Sequence, residues 1–269
     1  MSLASEFRKL HDNTTPLRLP NVWDAGSARL VEALGAKAIA TTSAGFAWAL
    51  GYPDGHQLPM TEVVDAVRRM TRVLKVPLSV DFENGYTDDP ATVADNVMRL
   101  VDLGIAGINI EDGSDAPSLL ASKIEAIKTA VAKAGADLFV NARSDVFLAG
   151  LVDKPSQAAE SIKRGALYAS AGADGLFLPA IMAPSDISAV IKEIRLPLNV
   201  MARPGLADGD TLGKLGVRRL SAGSGISQVL FAQARVLARG FLEGGASEPL
   251  AAAMPYGDIQ NLFSGLPAK

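Results

Sequence analysis

Cysteine is absent from this chain of 269 residues, and histidine occurs only at His11 and His56. The first absence excludes disulfides, thiolate metal centres and a cysteine nucleophile. The second argues against a histidine-rich zinc or iron site. No apolar run approaches the roughly 18 residues of a membrane span, so no membrane partner is expected. The opening stretch MSLASEFRKLHDNTTP lacks the apolar segment of a secretory leader, and a cytoplasmic location is expected. Basic charge is not concentrated either. Lys and Arg number 26 against 29 Asp and Glu, a net charge of −3. No basic run is longer than a pair such as Arg68-Arg69 or Arg218-Arg219, which leaves no footprint for nucleic acid.

What is present is a regular alternation of short apolar runs and helical patterns. The runs predict strands over 17–23, 37–42, 77–82, 106–111, 137–143, 174–178, 196–201 and 217–221. Between and after them the spacing predicts helices over 26–34, 61–74, 90–103, 120–134, 156–171, 184–194, 208–215 and 224–242. Val63, Val64, Val67, Met70, Val73 and Leu74, for example, repeat at helical spacing. Pro77 and Pro197 open strands, where a missing N–H does little harm. An open doubly wound sheet would carry a glycine-rich turn after its first strand, and none is present. Eight βα units in this length therefore predict an α/β fold, a single (β/α)8 TIM-type barrel domain over 1–269.

Barrels of this kind place their active sites at the carboxyl ends of the strands. Polar residues accumulate there: Asp81 and Glu83 in VDFENGY, Glu111 and Asp112 in INIED, then Asn141, Arg143, Asn199 and Arg203. Acids emerging from successive strand ends supply the oxygen ligands that a hard divalent cation prefers. Mutual repulsion would otherwise raise their pKa values. Asp88-Asp89-Pro90 reads as a helix start instead, and Asp112 as a cap or solvated loop acid. Asp24 reads as the cap of the helix that follows it.

The pieces PNVWDAGSARL, ATTSAGFAWALGYPDG, SVDFENGY, GINIEDG and VNARSD, in that order, resemble the isocitrate lyase/phosphoenolpyruvate mutase superfamily over nearly the whole chain. The resemblance implies a (β/α)8 barrel, often with its last helix exchanged between subunits of a dimer or tetramer. It implies a Mg²⁺-dependent (or Mn²⁺-dependent) lyase that acts on a C–C or P–C bond next to a 2-oxo acid, by way of a metal-stabilised enolate. The small-molecule carboxylate substrate would then be the main partner. Asp81 would ligate the metal directly, with Glu83, Asp54 and Glu111 holding its waters. Many relatives have Asp where Glu83 stands. Ser43, Ala44 and Gly45 would receive the substrate carboxylate, and Arg143 would contact a carboxylate or enolate oxygen. Trp23 would supply an apolar wall and Asn199 a substrate contact.

One family feature is missing. The C–C lyases carry a Lys-Lys-Cys-Gly-His loop after the I-E-D strand, and here the loop reads Gly113-Ser114-Asp115-Ala116-Pro117-Ser118-Leu119. The lysine and asparagine of the phosphonopyruvate branches are missing there too. A proton would then come from Tyr86, His56 or a metal-bound water. Oxaloacetate decarboxylation suits that gap best, because CO₂ departure needs no base. Cleavage of a 2-methylisocitrate-type acid, phosphonopyruvate chemistry and non-catalytic binding of a 2-oxo acid are the alternatives. Phe46, Trp48, Leu119 and Met201 are candidates for an apolar pocket wall.

Overall fold

Pro20 breaks the first expected strand in two, and that break decides how the barrel closes. In the computed structural model, which describes residues 2–266, β1 (Leu17–Leu19) pairs with the last strand and β2 (Asn21–Val22) pairs with β3 (Ile39–Thr41). The sheet continues through β4 (Leu78–Asp81), β5 (Gly107–Glu111), β6 (Phe139–Arg143), β7 (Gly175–Phe177), β8 (Leu198–Met201) and β9 (Arg219–Ser221), all parallel. Eight of the nine strands thus follow the expected positions, and the ninth arises from the interruption at Pro20. Asn21 stitches this seam. Its Nδ2 donates to the Thr41 carbonyl at 2.7 Å, and its Oδ1 accepts from the Ala222 and Gly223 N–H groups at 2.8 and 2.9 Å.

The helices are α1 (Leu3–Leu10), α2 (Ala25–Ala33), α3 (Ser43–Ala49), α4 (Met60–Val73), α5 (Pro90–Val101) and α6 (Pro117–Lys133). They continue with α7 (Gln157–Ser170), α8 (Pro184–Glu193), α9 (Gly209–Leu215), α10 (Gly225–Gly244) and α11 (Tyr256–Phe263). Local chemistry starts several of them. Asp24 and Ser27 cap α2 reciprocally, and Asp89 accepts from Thr92 N–H at 2.9 Å with Pro90 in the first turn of α5. Val63, Val64, Val67, Met70 and Val73 form the buried stripe of α4, as their spacing predicts. Helices α1, α3 and α11 were not expected. Only Ala4 and Phe7 are buried on α1, too few for a periodic signal, and the small residues of SAGFAWA read as a turn.

The strands carry two different faces. Outward residues such as Val80, Ile108, Ile110, Val140 and Ala142 join the helices in the main core. Inward residues divide by depth. At the amino end Phe7, Leu17, Leu19, Ala38, Ala40, Ala106 and Phe139 form an apolar plug under α1. Phe7 meets the Phe139 ring edge-on at 5.4 Å. Burial holds the His11 imidazole neutral, with its pKa down to about 3. Above the plug the interior turns polar. Asn141 Nδ2 donates to Asn109 Oδ1 (2.9 Å) and Asn199 Oδ1 (3.2 Å), and the fully buried Arg219 donates to Asn109 Oδ1 at 3.2 Å.

Helix α10 is the exception to this packing. Along its 20 residues only Ser227 is buried, while Val229, Leu230, Phe231, Val236, Leu237, Phe241 and Leu242 are exposed. No helix among the described residues is long and apolar enough to cross a membrane.

Candidate active site

Asp81, Glu111 and Arg143 are the last residues of β4, β5 and β6, so the fold delivers them to one end of the barrel. The β5–β6 register sets Glu111 opposite Arg143, and Arg143 Nη1 forms an ion pair with Glu111 Oε2 at 2.7 Å. Asp81 is fixed by its neighbours. Its N–H donates to Thr41 Oγ1 at 2.8 Å, and its Oδ2 accepts the Ser43 N–H at 3.0 Å. Its Oδ1 is buried with no hydrogen-bond partner.

Glu83 lies just past β4 in a strained turn. Glu83, Tyr86 and, on the facing loop, His56 all have left-handed backbones, with φ of 50°, 63° and 65°. Such conformations cost on the order of 1–3 kcal/mol each for residues other than glycine and persist where surrounding contacts enforce them. Those contacts are present. Glu83 Oε2 accepts from the His56 N–H at 2.5 Å and faces His56 Nδ1 at 2.8 Å, and the Tyr86 hydroxyl also bonds the Glu83 carboxylate. Gly85 (φ 95°) completes the turn, and a Cβ there would meet Val93 Cγ2 at 2.9 Å. From below, the buried Lys123 Nζ donates to the Asn84 carbonyl at 2.9 Å.

The electrostatics are those of an acid cluster short of countercharge. Burial pushes the Glu111 carboxyl up to about 8; Arg143 opposes the rise, and Asp81 and Asp145 reinforce it. Partial burial, then the charges of Glu83 and Asp81, push Asp54 up as well. Glu83 goes the other way: burial alone would raise it, but the hydrogen bonds from His56 and Tyr86 hold it below the usual value. The bond to Glu83 raises the His56 imidazole. Burial and the Glu83 charge push the Tyr86 phenol far up, so it stays protonated.

These residues fit a hard divalent cation. The orphaned Asp81 Oδ1 is a ready ligand, and the donor set is all carboxylate oxygen. Among the described residues no three His, Asp or Glu side chains stand close enough to hold an ion together. A hard cation here would therefore be held directly by few of these side chains, with waters between it and the remaining acids.

The expected anion-receiving segment is the first turn of α3. Its first helical bond is Phe46 N–H to Thr42 O, so the N–H groups of Ser43, Ala44 and Gly45 precede the helical ladder. Ser43 N–H is engaged by Asp81, which leaves Ala44 and Gly45. Glycine is required at 45, where a Cβ would stand 2.7 Å from both Thr42 Cγ2 and Trp23 Cβ. Trp23 therefore backs this turn.

Other expected residues lie elsewhere. Asn199 is wholly buried in the barrel interior, where its amide donates to the Val200 carbonyl at 2.8 Å and Ser221 Oγ at 3.1 Å. Phe46 belongs to the main core, and Trp48 packs edge-on against Phe231 of α10 at 6.0 Å. Asp112 is neither cap nor solvated acid: it is buried and bonded to Ser144, Arg164 and Tyr168, because α7 supplies a cation and a hydroxyl to receive it. Sequence reasoning missed Lys123 and Asp145. Asp145 forks Arg143, and the Arg-Ser-Asp spacing at 143–145 was the available signal.

Comparison with known proteins bears on the family and the fold. The family profile of phosphoenolpyruvate phosphomutase matches residues 7–242. An uncharacterised protein of Mycobacterium tuberculosis is 38% identical over 259 residues, covering 94% of each chain. An oxaloacetate decarboxylase of Paraburkholderia xenovorans is 33% identical over 232 residues, 81% of this chain and 75% of that one. Among solved structures, a protein of Burkholderia cenocepacia assigned as a lyase/mutase superposes with a TM-score of 0.89 at 32% identity, covering 97% of this chain and 95% of that one. A 2,3-dimethylmalate lyase of the phosphoenolpyruvate mutase/isocitrate lyase superfamily has a TM-score of 0.86 at 22% identity, covering 98% and 95%, which speaks to the fold alone.

Proposed function

The chain belongs to the phosphoenolpyruvate phosphomutase family and is a lyase/mutase of that superfamily, and on this footing we propose that it is a Mg²⁺- or Mn²⁺-dependent carbon–carbon lyase whose foremost substrate is oxaloacetate. The observation that carries the proposal is the unpartnered Asp81 Oδ1 beside the Glu111–Arg143 pair. Asp81 would hold the cation directly, and Glu83, Glu111 and Asp54 would hold its waters. When bound, the cation supplies a Lewis acid for the carboxylate and 2-oxo oxygens of the substrate.

The chain's own groups do the rest. The Ala44 and Gly45 N–H groups and Arg143 receive and orient the substrate carboxylate. The loop 113–119 contributes neither amine nor thiol, so no side chain there takes a proton from the substrate. Decarboxylation has no such need. The C–C bond to the departing CO₂ breaks heterolytically, its electron pair passes into the enolate of pyruvate, and one proton then adds at carbon. Tyr86 and His56, both bonded to Glu83, are the side chains beside the acids that would supply it. A phosphonopyruvate substrate would call for loop cations to meet its phosphonate, and 113–119 has none.

Thermal unfolding with Mg²⁺ plus oxalate, a mimic of the enolate, tests this reading. A ligand at about a hundred times its dissociation constant stabilises by roughly 2.7 kcal/mol, several degrees at this chain length. The shift is expected only with both ligands present and is expected to vanish in Asp81→Ala. Pyruvate release from oxaloacetate is the second readout. No shift at saturation refutes the pocket, and a shift without turnover on any 2-oxo acid precursor marks a binder.

The same proposal extends to assembly. A helix as apolar and as uncovered as α10 needs a second surface, and a second copy of this chain, exchanging that helix, supplies one. The expected result is a dimer or larger by light scattering.

A further inference from the structure

Behind Arg143 lies a buried charged network for which the reaction so far has no use. Asp145 grips Arg143 from the side, with Nε to Oδ1 at 2.7 Å and Nη2 to Oδ2 at 2.9 Å. Asp145 is itself held, since its N–H donates to Asp112 Oδ1 at 2.9 Å. The other Asp112 oxygen accepts from Ser144 Oγ (2.7 Å), Arg164 Nη1 (2.8 Å) and the Tyr168 hydroxyl (2.6 Å). Glu160 steadies Arg164 Nε at 2.8 Å. Asp112, Ser144 and Tyr168 are at most 1% exposed, and Asp145 is 7% exposed.

We propose that Asp145 is the positioning residue for Arg143, and that Asp112, Arg164 and Tyr168 are the frame that holds Asp145. The proposal rests on the reading of Arg143 as the contact for the substrate carboxylate. A guanidinium has five N–H donors. Asp145 engages two of them, and Glu111 pairs with Nη1 as an ion pair at 2.7 Å, which leaves donors on both terminal nitrogens. Two parallel donors are what one carboxylate accepts in a bidentate pair. Their direction matters as much as their number. A contact through Nη1 alone would let the guanidinium turn about that bond, whereas the two-point grip of Asp145 fixes its plane. A buried ionic network is a weak source of stability, because desolvation offsets most of the attraction. What this one secures is the orientation of Arg143.

The test compares wild type, Asp145→Asn, Arg143→Lys and the double variant at saturating Mg²⁺. Oxalate affinity is measured by calorimetry, and KM and kcat are measured with oxaloacetate. Asparagine sets an amide N–H against an arginine N–H and cannot make the two-point grip. Displacing a substrate-holding group by about 1 Å can cost on the order of 100-fold. Asp145→Asn is therefore expected to weaken oxalate binding and raise KM by about 10- to 100-fold. In the Arg143→Lys background the same substitution is expected to add less than about 2-fold, since groups acting through one another are not additive. Fully additive losses, or wild-type oxalate binding in folded Asp145→Asn, overturn the proposal. Should Asp145→Asn not fold, Tyr168→Phe removes one hydrogen bond from the far end of the frame. It is expected to raise the oxalate Kd by roughly 5-fold, the equivalent of about 1 kcal/mol for one bond, and an unchanged Kd overturns the proposal equally. A wild-type protein indifferent to Mg²⁺ plus oxalate fails one step earlier, with the reading of the pocket itself.

Discussion

Glu111→Gln, followed as stability against pH in a chelator, probes the charge shortage at the strand ends most directly. Burial moves the Glu111 carboxyl from 4.5 up to about 8 in the folded protein. A raised acid binds its proton more tightly when folded than when unfolded. The stability it contributes is therefore complete below pH 4.5 and is lost as pH rises toward 8. One proton linked in this way changes stability by at most ~1.4 kcal/mol per pH unit. Between about pH 5 and 8 the limit is thus roughly 4 kcal/mol, or on the order of 10 °C in Tm. Glutamine removes the titration without abandoning the buried cation, because Arg143 keeps its two bonds to Asp145. His56 has the same sign: its pKa is raised, so its contribution is also lost with rising pH. It is 40% exposed in its side chain, and solvent screening keeps the effect small. Metal-free wild type should therefore lose Tm steadily from about pH 5 to 8, and Glu111→Gln should lose much less. Equal slopes by calorimetry would refute the assignment. Added Mg²⁺ should flatten the wild-type slope and leave the variant nearly unmoved.

Three further outcomes follow from the packing. Gly45→Ala places a methyl 2.7 Å from Thr42 and Trp23; a loss of about 1–3 kcal/mol is expected in urea unfolding, together with weakened oxalate binding as the α3 turn shifts. Phe7→Ala empties the plug beneath the polar interior and should destabilise by about 3–5 kcal/mol, read from the urea midpoint. Phe231→Glu places a charge on the apolar face of α10; light scattering should report a shift to smaller species, and an unchanged mass would remove that face from the interface.

The barrel was legible because its signal is repetitive. Eight alternations of apolar run and amphipathic stripe survive errors at any one boundary, and Asp24 and Asp89 announced the helix starts that they cap. Asp81, Glu111 and Arg143 could be read because a parallel barrel brings all its strand ends to one rim. Two kinds of feature were not legible. Helix α1 buries only two residues, so its role as a plug depends on a cavity that the distant strands create. Asn199 and Asp112 were misplaced for a related reason. A polar residue near a strand end faces either the rim or a buried partner, and only the positions of Ser221, Arg164 and Tyr168 decide which.

The seam at Pro20 has a consequence for the order of events as the chain folds. Strand β1 has no lateral partner until β9 arrives, since Leu17 aligns with Arg219 and Leu19 with Ser221, some 200 residues later. The latch formed by Asn21 likewise waits for Ala222 and Gly223. Contacts of such long sequence separation form slowly. A chain emerging from the ribosome can pair β2 through β8 in order, yet it holds an open sheet with an exposed polar interior until its last strand appears. Ring closure is then the final step, and Arg219, which enters with β9, completes the interior in the same event.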